Sequence, residues 1–178
     1  FGEGALSEGE FHESLNLAKI WKLPIVYICE NNQYGMGTDF RRVSAVTDLS
    51  LMGASYDIPG KQADGMDVLA VYEEVGWAVR RAREEKEPSF LEIVTYRYRG
   101  HSMSDPAHYR TKEELEGYKS QDPILILKSR MQESGVLSDD EFQSIDQECK
   151  QASEEAARFA EDSPEPSPET LYEDVLCR

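Results

Sequence analysis

Two stretches of the chain set hard oxygen donors beside glycines. Gly2-Glu3-Gly4-Ala5 holds a carboxylate between two glycines, and Glu30-Asn31-Asn32-Gln33-Tyr34-Gly35-Met36-Gly37-Thr38 holds paired amides ahead of two more. Glycine permits a tight turn and close backbone approach. Where such a turn feeds a helix N-terminus, free N–H groups and the positive end of the dipole face an anion. A carboxylate and an amide oxygen suit Mg²⁺, which takes few protein ligands and completes its octahedron with phosphate oxygens and water. Together Glu3 and Asn32 read as a magnesium–diphosphate site; taken singly, each half also fits a plain structural turn. A third stretch, Tyr96-Arg97-Tyr98-Arg99-Gly100-His101-Ser102-Met103-Ser104-Asp105-Pro106, sets His101 among glycine and small hydroxyls. That setting suits an accessible ring, which donates one hydrogen bond when neutral and adds a charge when protonated. A structural histidine is the alternative.

These residues need elements to bring them together. The apolar run Ile25-Val26-Tyr27-Ile28-Cys29 ends in the amides and reads as a buried strand of a parallel sheet. Ligands of open α/β sheets sit beyond the carboxyl ends of strands. Glu8 to Lys22 is expected to be a helix, with Phe11, Leu15, Ala18 and Trp21 (or Lys22) on its apolar side, Ser7 and Glu10 as a capping box, and Pro24 as its stop. Glu3 then ends one strand and Asn32 the next, at one edge of the sheet, in the second half of a βαβ crossover. Phe1-Gly2-Glu3-Gly4 looks like the end of a strand with no room before it. The chain is therefore expected to be a piece whose N-terminal part completes sheet and site.

Further along, Asp39 to Ser55 reads as a long polar loop and Ile58-Pro59-Gly60 as a turn. Asp67 is expected to cap a helix over Val68 to Lys86 that buries Leu69, Tyr72, Val75 (or Gly76) and Val79. Its Arg80, Arg81, Arg83 and Lys86, interleaved with Glu84 and Glu85, read as a solvated face complementing the C-terminal dipole. Ser89 to Tyr98 reads as a strand leading into the His101 stretch, where Asp105 and Arg110 are expected to pair and His108 to lie on the surface. Beyond lie short helices over Thr111–Tyr118 and Ile124–Ser134. A capped helix from Ser138 to Asp162 follows, with Phe142, Ile145, Cys149, Ala152 (or Ala156) and Phe159 on one side. A stiff Ser163–Pro168 linker leads to a docked tail over Leu171–Leu176.

The chain has 178 residues and a formal net charge of −16, which argues against nucleic acid or an anionic membrane as the main partner. Much of the acid lies in the C-terminal region. No apolar run approaches ~18 residues, so no membrane span is expected. Cys29, Cys149 and Cys177 are too widely spaced for a zinc knuckle or a disulfide framework and read as reduced thiols of a cytosol-like compartment.

The glycine-flanked acid, followed some two dozen residues later by Asn31-Asn32, resembles the signature of thiamine-diphosphate enzymes. Trp21-Lys22-Leu23-Pro24, Glu30 to Thr38 and Tyr96 to Pro106 extend the likeness to the alpha subunits of pyruvate dehydrogenase first components. It runs from Phe1 to about Leu171 and covers the C-terminal half of such a subunit. The resemblance implies an α/β thiamine-diphosphate-binding fold: a partial three-layer parallel sheet flanked by helices, with a helical C-terminal extension. Residues 1–110 would be the diphosphate and magnesium part, and 111–178 the helical region and tail. It implies Mg²⁺ held by Glu3, Asn32 and the Tyr34 carbonyl, diphosphate met by the Gly4 and Ala5 backbone, and His101 facing the diphosphate and stabilising charge during reaction.

The implied activity is oxidative decarboxylation of pyruvate with acetyl transfer to a lipoyl domain of the acyltransferase core. A beta subunit would complete the site in an α2β2 assembly and supply the activating glutamate, so the piece alone would be inactive and bind cofactor weakly. Pyruvate-type subunits usually carry Asp at the position of Glu3, whereas Glu is familiar in branched-chain 2-oxo acid enzymes. A branched-chain or acetoin dehydrogenase is therefore the alternative, and a non-catalytic binding scaffold the alternative of another class. Ser102 matches a serine that mitochondrial kinases modify. Asp39 stands where those relatives have another serine, and the Asp105–Arg110 segment, with His108, is one residue shorter. These departures point to a bacterial, cytoplasmic, unphosphorylated relative rather than one of the mitochondrial matrix.

Overall fold

A computed structural model describes residues 1–175; Leu176 and Cys177, on which the tail and thiol expectations partly rest, lie outside it. The chain divides into two compact units, Phe1–Ser129 and the residues from Arg130 on. The first is mixed α/β. Its sheet has the order β1-β5-β4, with β1 at Val26–Asn31, β4 at Gly60–Asp64 and β5 at Ser89–Val94, all parallel. A two-stranded antiparallel ribbon pairs β2 (Tyr34–Gly35) with β3 (Thr38–Asp39). Helices α1 (Gly9–Ile20), α2 (Val68–Glu84) and α3 (Lys112–Lys119) complete this unit, and the division from the second falls inside α4 (Pro123–Glu133).

Phe1 and Gly2 lie along β1 as one more parallel row. Gly2 bridges to Glu30, and Glu30 N donates to the Phe1 carbonyl at 2.8 Å. The expected crossover from an acid-bearing strand end through α1 to β1 is thus present. Strand β5 is central and buried along most of its length, and its side chains alternate between two cores. Phe90 joins Leu6, Phe11, Leu15, Cys29, Leu49 and Ile58 in one; Leu91 and Ile93 join Ala63 and Ala78 in the other. Each large side chain taken wholly from water contributes roughly 1.5–3 kcal/mol, so these two clusters hold the strand ends in place.

Local signals succeeded where backbone groups had one evident partner. Asp67 caps α2 by accepting from Leu69 N and Ala70 N, at 3.0 and 3.4 Å. Thr111 caps α3. In the second unit Ser138 and Glu141 form the expected capping box of α5 (Asp139–Asp162).

Elsewhere the structure corrects the reading. Ser7 forms no capping box with Glu10, because a 3-10 turn over Glu3–Ser7 takes up the glycine stretch and Glu8 becomes the N-cap of α1. The glycine turn therefore feeds that 3-10 turn rather than the α-helix directly. Helix α2 buries Ala78 and Ala82, with Val71 and Val75 against the core, whereas Leu69 and Tyr72 are exposed. A stripe of small residues lay beside the bulkier one that hydropathy favours. Strand β4 has no counterpart among the expected elements, which place only a turn at Ile58-Pro59-Gly60, because Gly60-Lys61-Gln62-Ala63-Asp64 is mostly polar; the expected polar loop before it contains β3 and 3-10 turns over Phe40–Arg42 and Leu49–Tyr56. Leu171, Tyr172 and Val175 are exposed rather than docked. Cys29 and Cys149 are free thiols, and burial pushes Cys29 up to about 12. No helix among the described residues is long and apolar enough to cross a membrane.

Candidate functional site

The β1 strand continues two residues past its apolar run, through Glu30 and Asn31. This extension gives the adjacent asparagines opposite surroundings. Asn31 is 1% exposed; its amide donates to Glu92 at 2.7 Å, and its Oδ1 accepts from Gln33 N at 3.1 Å. It is therefore a buried strand end as well as a turn former. Gln33 adopts the left-handed conformation at φ 78°, sparse for a residue with a side chain. Its amide donates back to the Asn31 carbonyl at 3.3 Å, and its Oε1 accepts from Arg41 at 2.5 Å. This sharp turn separates Asn32 from its buried neighbour and leads into the β2–β3 ribbon.

Glu3 is 5% exposed. Its Oε2 accepts from Asn32 N at 3.2 Å, whereas its Oε1 is buried with no hydrogen-bond partner. An unpaired buried carboxylate oxygen is costly unless something positive meets it. Two further oxygens of the same wall already hold a positive group. Arg97 Nη1 donates to Asn32 Oδ1 at 2.9 Å and to the Tyr34 carbonyl at 3.0 Å. A buried acid, an amide oxygen and a main-chain carbonyl are hard donors of the kind Mg²⁺ takes, so these residues fit a divalent cation. Among the described residues there is no cluster of three His, Cys, Asp or Glu to hold one, which leaves amide and carbonyl oxygens to share the work.

Glu3, Gly4, Ala5, Asn32, Tyr34 and His101 all line one cavity of about 600 Å³, together with Arg97. Gly4 and Gly35 meet backbone to backbone: a Cβ on Gly4 would lie 3.7 Å from the Gly35 Cα. The Ala5 N–H donates to the Gly2 carbonyl at 3.1 Å within the 3-10 turn. Leu6, Phe40, Leu49 and Met52 give the cavity an apolar wall.

The Tyr34 ring faces away from this chemistry. Its hydroxyl and that of Tyr96 each donate to Glu114 Oε1 at 2.8 Å, so one carboxylate on α3 pins two phenols. Burial and that hydrogen bond raise both, Tyr96 to about 12. Tyr96 stacks on Tyr118 with centroids 3.9 Å apart. The Tyr34 carbonyl is thereby fixed from behind.

His101 is exposed, on a loop closed by Asp105. Asp105 Oδ2 accepts from His101 N at 2.7 Å and from the Tyr109 hydroxyl at 2.8 Å, and Oδ1 accepts from Ala107 N at 2.8 Å. Gly100 is required by close approach, since a Cβ there would sit 2.3 Å from the Asp105 carbonyl oxygen. The expected Asp105–Arg110 pair is not formed. Arg110 instead donates to the carbonyls of Arg97 and Tyr98 and lies over the Tyr96 ring. Ser102 is exposed and meets Ser104 Oγ at 3.2 Å.

The His101, Ala107 and Tyr109 donors hold the Asp105 carboxyl down at about 2. A depressed acid contributes fully above its ordinary value of 3.8 and loses that contribution as pH falls through about 2. Loop order should therefore be flat across about pH 5–8. Asp105→Asn offers one acceptor oxygen where three donors converge. Limited proteolysis at neutral pH should cut the variant several-fold faster within residues 99–104, and an unchanged rate would contradict the anchoring role.

The residue missed in the sequence is Arg97. It lies inside the expected Ser89–Tyr98 strand, which ends at Val94 in the structure, and nothing local shows that its guanidinium reaches Asn32, 65 positions earlier. The dehydrogenase E1 component family model matches residues 1–169.

The chain belongs to the dehydrogenase E1 component family.

Among relatives of this E1 chain, the pyruvate dehydrogenase E1 component subunit alpha of Rhizobium meliloti is 50% identical over 177 residues, covering 99% of this chain and 51% of the relative. The subunit of the same name from Rickettsia conorii is 44% identical, covering 99% and 54%. The somatic mitochondrial form from Sus scrofa is 46% identical, covering 99% and 46%. This E1 chain is thus a homologue of pyruvate dehydrogenase E1 alpha subunits, with both bacterial and mitochondrial relatives. It spans about half the length of the curated relatives it matches.

Proposed function

We propose that this chain is the magnesium- and diphosphate-holding half of an alpha subunit that, with a beta subunit, oxidatively decarboxylates pyruvate and passes acetyl to a lipoyl domain. The observation that carries this reading is the convergence of Asn32 Oδ1 and the Tyr34 carbonyl on one cationic nitrogen, beside a cavity that Glu3, with its unpaired Oε1, also lines. In this reading residues 1–110 are the cofactor-holding part of a three-layer thiamine-diphosphate-binding fold, and the helices after them an extension. Bound thiamine diphosphate would supply the electron sink that decarboxylation of a 2-oxo acid requires.

The chain's own residues supply binding and exclusion. Glu3, Asn32 and the Tyr34 carbonyl hold Mg²⁺; the Gly4–Ala5 backbone meets the diphosphate. His101 donates a ring N–H toward that anion and stabilises negative charge during reaction. Leu6, Phe40, Leu49 and Met52 keep water from the apolar side of the cavity. The beta subunit closes the remaining wall of an α2β2 enzyme in a bacterial cytoplasm. Glu3 keeps a second reading alive, a branched-chain 2-oxo acid or acetoin dehydrogenase, because the extra methylene is familiar there. A scaffold without chemistry has no use for a buried, half-unpaired Glu3.

The test is turnover by the full-length subunit reconstituted with its beta subunit on pyruvate, branched 2-oxo acids and acetoin. Pyruvate should be preferred by at least about tenfold in kcat/KM, a difference of 1.4 kcal/mol. Preference for another substrate moves the assignment to that enzyme, and turnover without Mg²⁺ or thiamine diphosphate overturns the site.

A further inference from the structure

The guanidinium of Arg97 is bound on every side. Nη1 takes Asn32 Oδ1 and the Tyr34 carbonyl, at 2.9 and 3.0 Å; Nη2 takes the Met36 carbonyl at 2.5 Å and the Tyr109 hydroxyl at 3.1 Å; Nε takes the Arg99 carbonyl at 3.3 Å. The first two acceptors are the oxygens assigned above to the metal. A magnesium ion at 2.0–2.1 Å from both would lie within about 4 Å of Nη1, where two like charges repel. The guanidinium and the ion therefore cannot hold that pair of oxygens together.

We propose that Arg97 is a built-in competitor for the cation site, so that a divalent ion binds tightly only when it arrives with an anion. The proposal rests on the magnesium–diphosphate reading. Arg97 lines the same cavity as Gly4 and His101, so a diphosphate there gives the displaced guanidinium a bidentate anionic partner. The anion thus removes the cost of moving Arg97, and each ligand strengthens the other by the same factor. Ordered entry follows from one side chain: ion alone is opposed, while ion with diphosphate is favoured.

The experiment measures Mn²⁺ affinity by electron paramagnetic resonance on the reconstituted full-length enzyme, with and without inorganic diphosphate. In the unsubstituted enzyme, diphosphate should tighten Mn²⁺ by at least about tenfold. Arg97→Gln should bind Mn²⁺ alone about tenfold more tightly, since two charge-assisted hydrogen bonds no longer oppose it, and should show a smaller diphosphate effect. Arg97→Met, which keeps the aliphatic stem without donors, gives the same reading if the glutamine variant does not assemble. Arg99→Gln removes a neighbouring exposed charge that donates to neither oxygen and should give no comparable gain.

An equal gain in Arg99→Gln, or unchanged or weaker Mn²⁺ binding in the Arg97 variants, overturns the competition. Asn32→Ala separates this from the underlying reading. If that variant still binds Mn²⁺ as before, the metal site itself is wrong; if it loses Mn²⁺ while the Arg97 variants show no gain, only the competition is wrong.

Discussion

Asn32→Ala in the full-length subunit, reconstituted with its beta subunit, should lower kcat/KM by about a hundredfold or more and raise the Mg²⁺ concentration needed for activity. Even outer partners of a metal site typically cost ten- to a hundredfold when removed, and Asn32 is proposed as a direct ligand. The fold should hardly notice. Asn32 is half-buried, and its side chain's hydrogen bond is to Arg97, which retains the Tyr34 and Met36 carbonyls and Tyr109. A stability change of no more than about 1 kcal/mol is expected by urea unfolding. The neighbouring Asn31→Ala should behave in the opposite way: its side chain is wholly buried on Glu92 and the Gln33 N–H, so losing it should cost about 2–3 kcal/mol. Steady-state kinetics and unfolding curves of the two variants check both halves. Full activity in Asn32→Ala would remove this residue from the metal site.

The contrast between Asn31 and Asn32 also marks how far a sequence carries. That Glu3, Asn32, Tyr34 and His101 share one cavity follows from signals in the sequence, because each sits next to its own punctuation: glycines, and an apolar run that stops. These signals lie within a few residues of the group they describe. So do the caps at Asp67 and Ser138, which behave as their neighbours predict, whereas the Ser7–Glu10 box is lost to the 3-10 turn before it. Arg97 and Asp105 were not legible in their actual roles. Both were obvious as charges, but a guanidinium reaches whatever the fold brings near it. Arg97 meets residues 61 to 65 positions earlier, whereas Asp105 turned inward to amides within its own loop instead of to Arg110. Strand β4 failed for a related reason. Its partner β5 is covered on both faces, whereas β4 lies at the sheet edge with mostly exposed or half-exposed side chains, so its residues carry little apolar pattern. The exposed stripe on α2 shows the converse error, since bulky apolar residues were assumed to point inward when alanines did.

Glu92→Ala should be among the most destabilising single changes in the chain, about 2–4 kcal/mol. Glu92 sits at the middle of the central strand with no exposed surface. Its Oε1 accepts from the Asn31 amide at 2.7 Å; its Oε2 accepts from Ser50 N at 3.1 Å and the Gln62 amide at 2.9 Å. Three donors from β1, β4 and the 3-10 segment before β4 thus meet on one carboxylate. Replacing it with a methyl group orphans the buried Asn31 amide, takes from Ser50 N one of its two acceptors (Asp48 Oδ1 at 3.1 Å is the other), and leaves a cavity in the central strand, while the exposed Gln62 amide turns to water. Glu92→Gln keeps one acceptor oxygen and should cost less, about 1–3 kcal/mol, because its amide nitrogen must face a donor. Glu92→Leu, close in volume but with no acceptor, should resemble Ala; a leucine variant as stable as the parent would show that packing alone holds this junction. The effect should reach the site. Asn31 is fixed by Glu92 and in turn fixes Gln33, whose turn sets the direction of Asn32. Glu92→Gln, even where folded, should therefore loosen Mg²⁺ binding several-fold while leaving every proposed ligand in place. Metal titration alongside urea unfolding of the full-length subunit separates the two effects: a loss of stability with unchanged Mg²⁺ affinity would confine Glu92 to the fold.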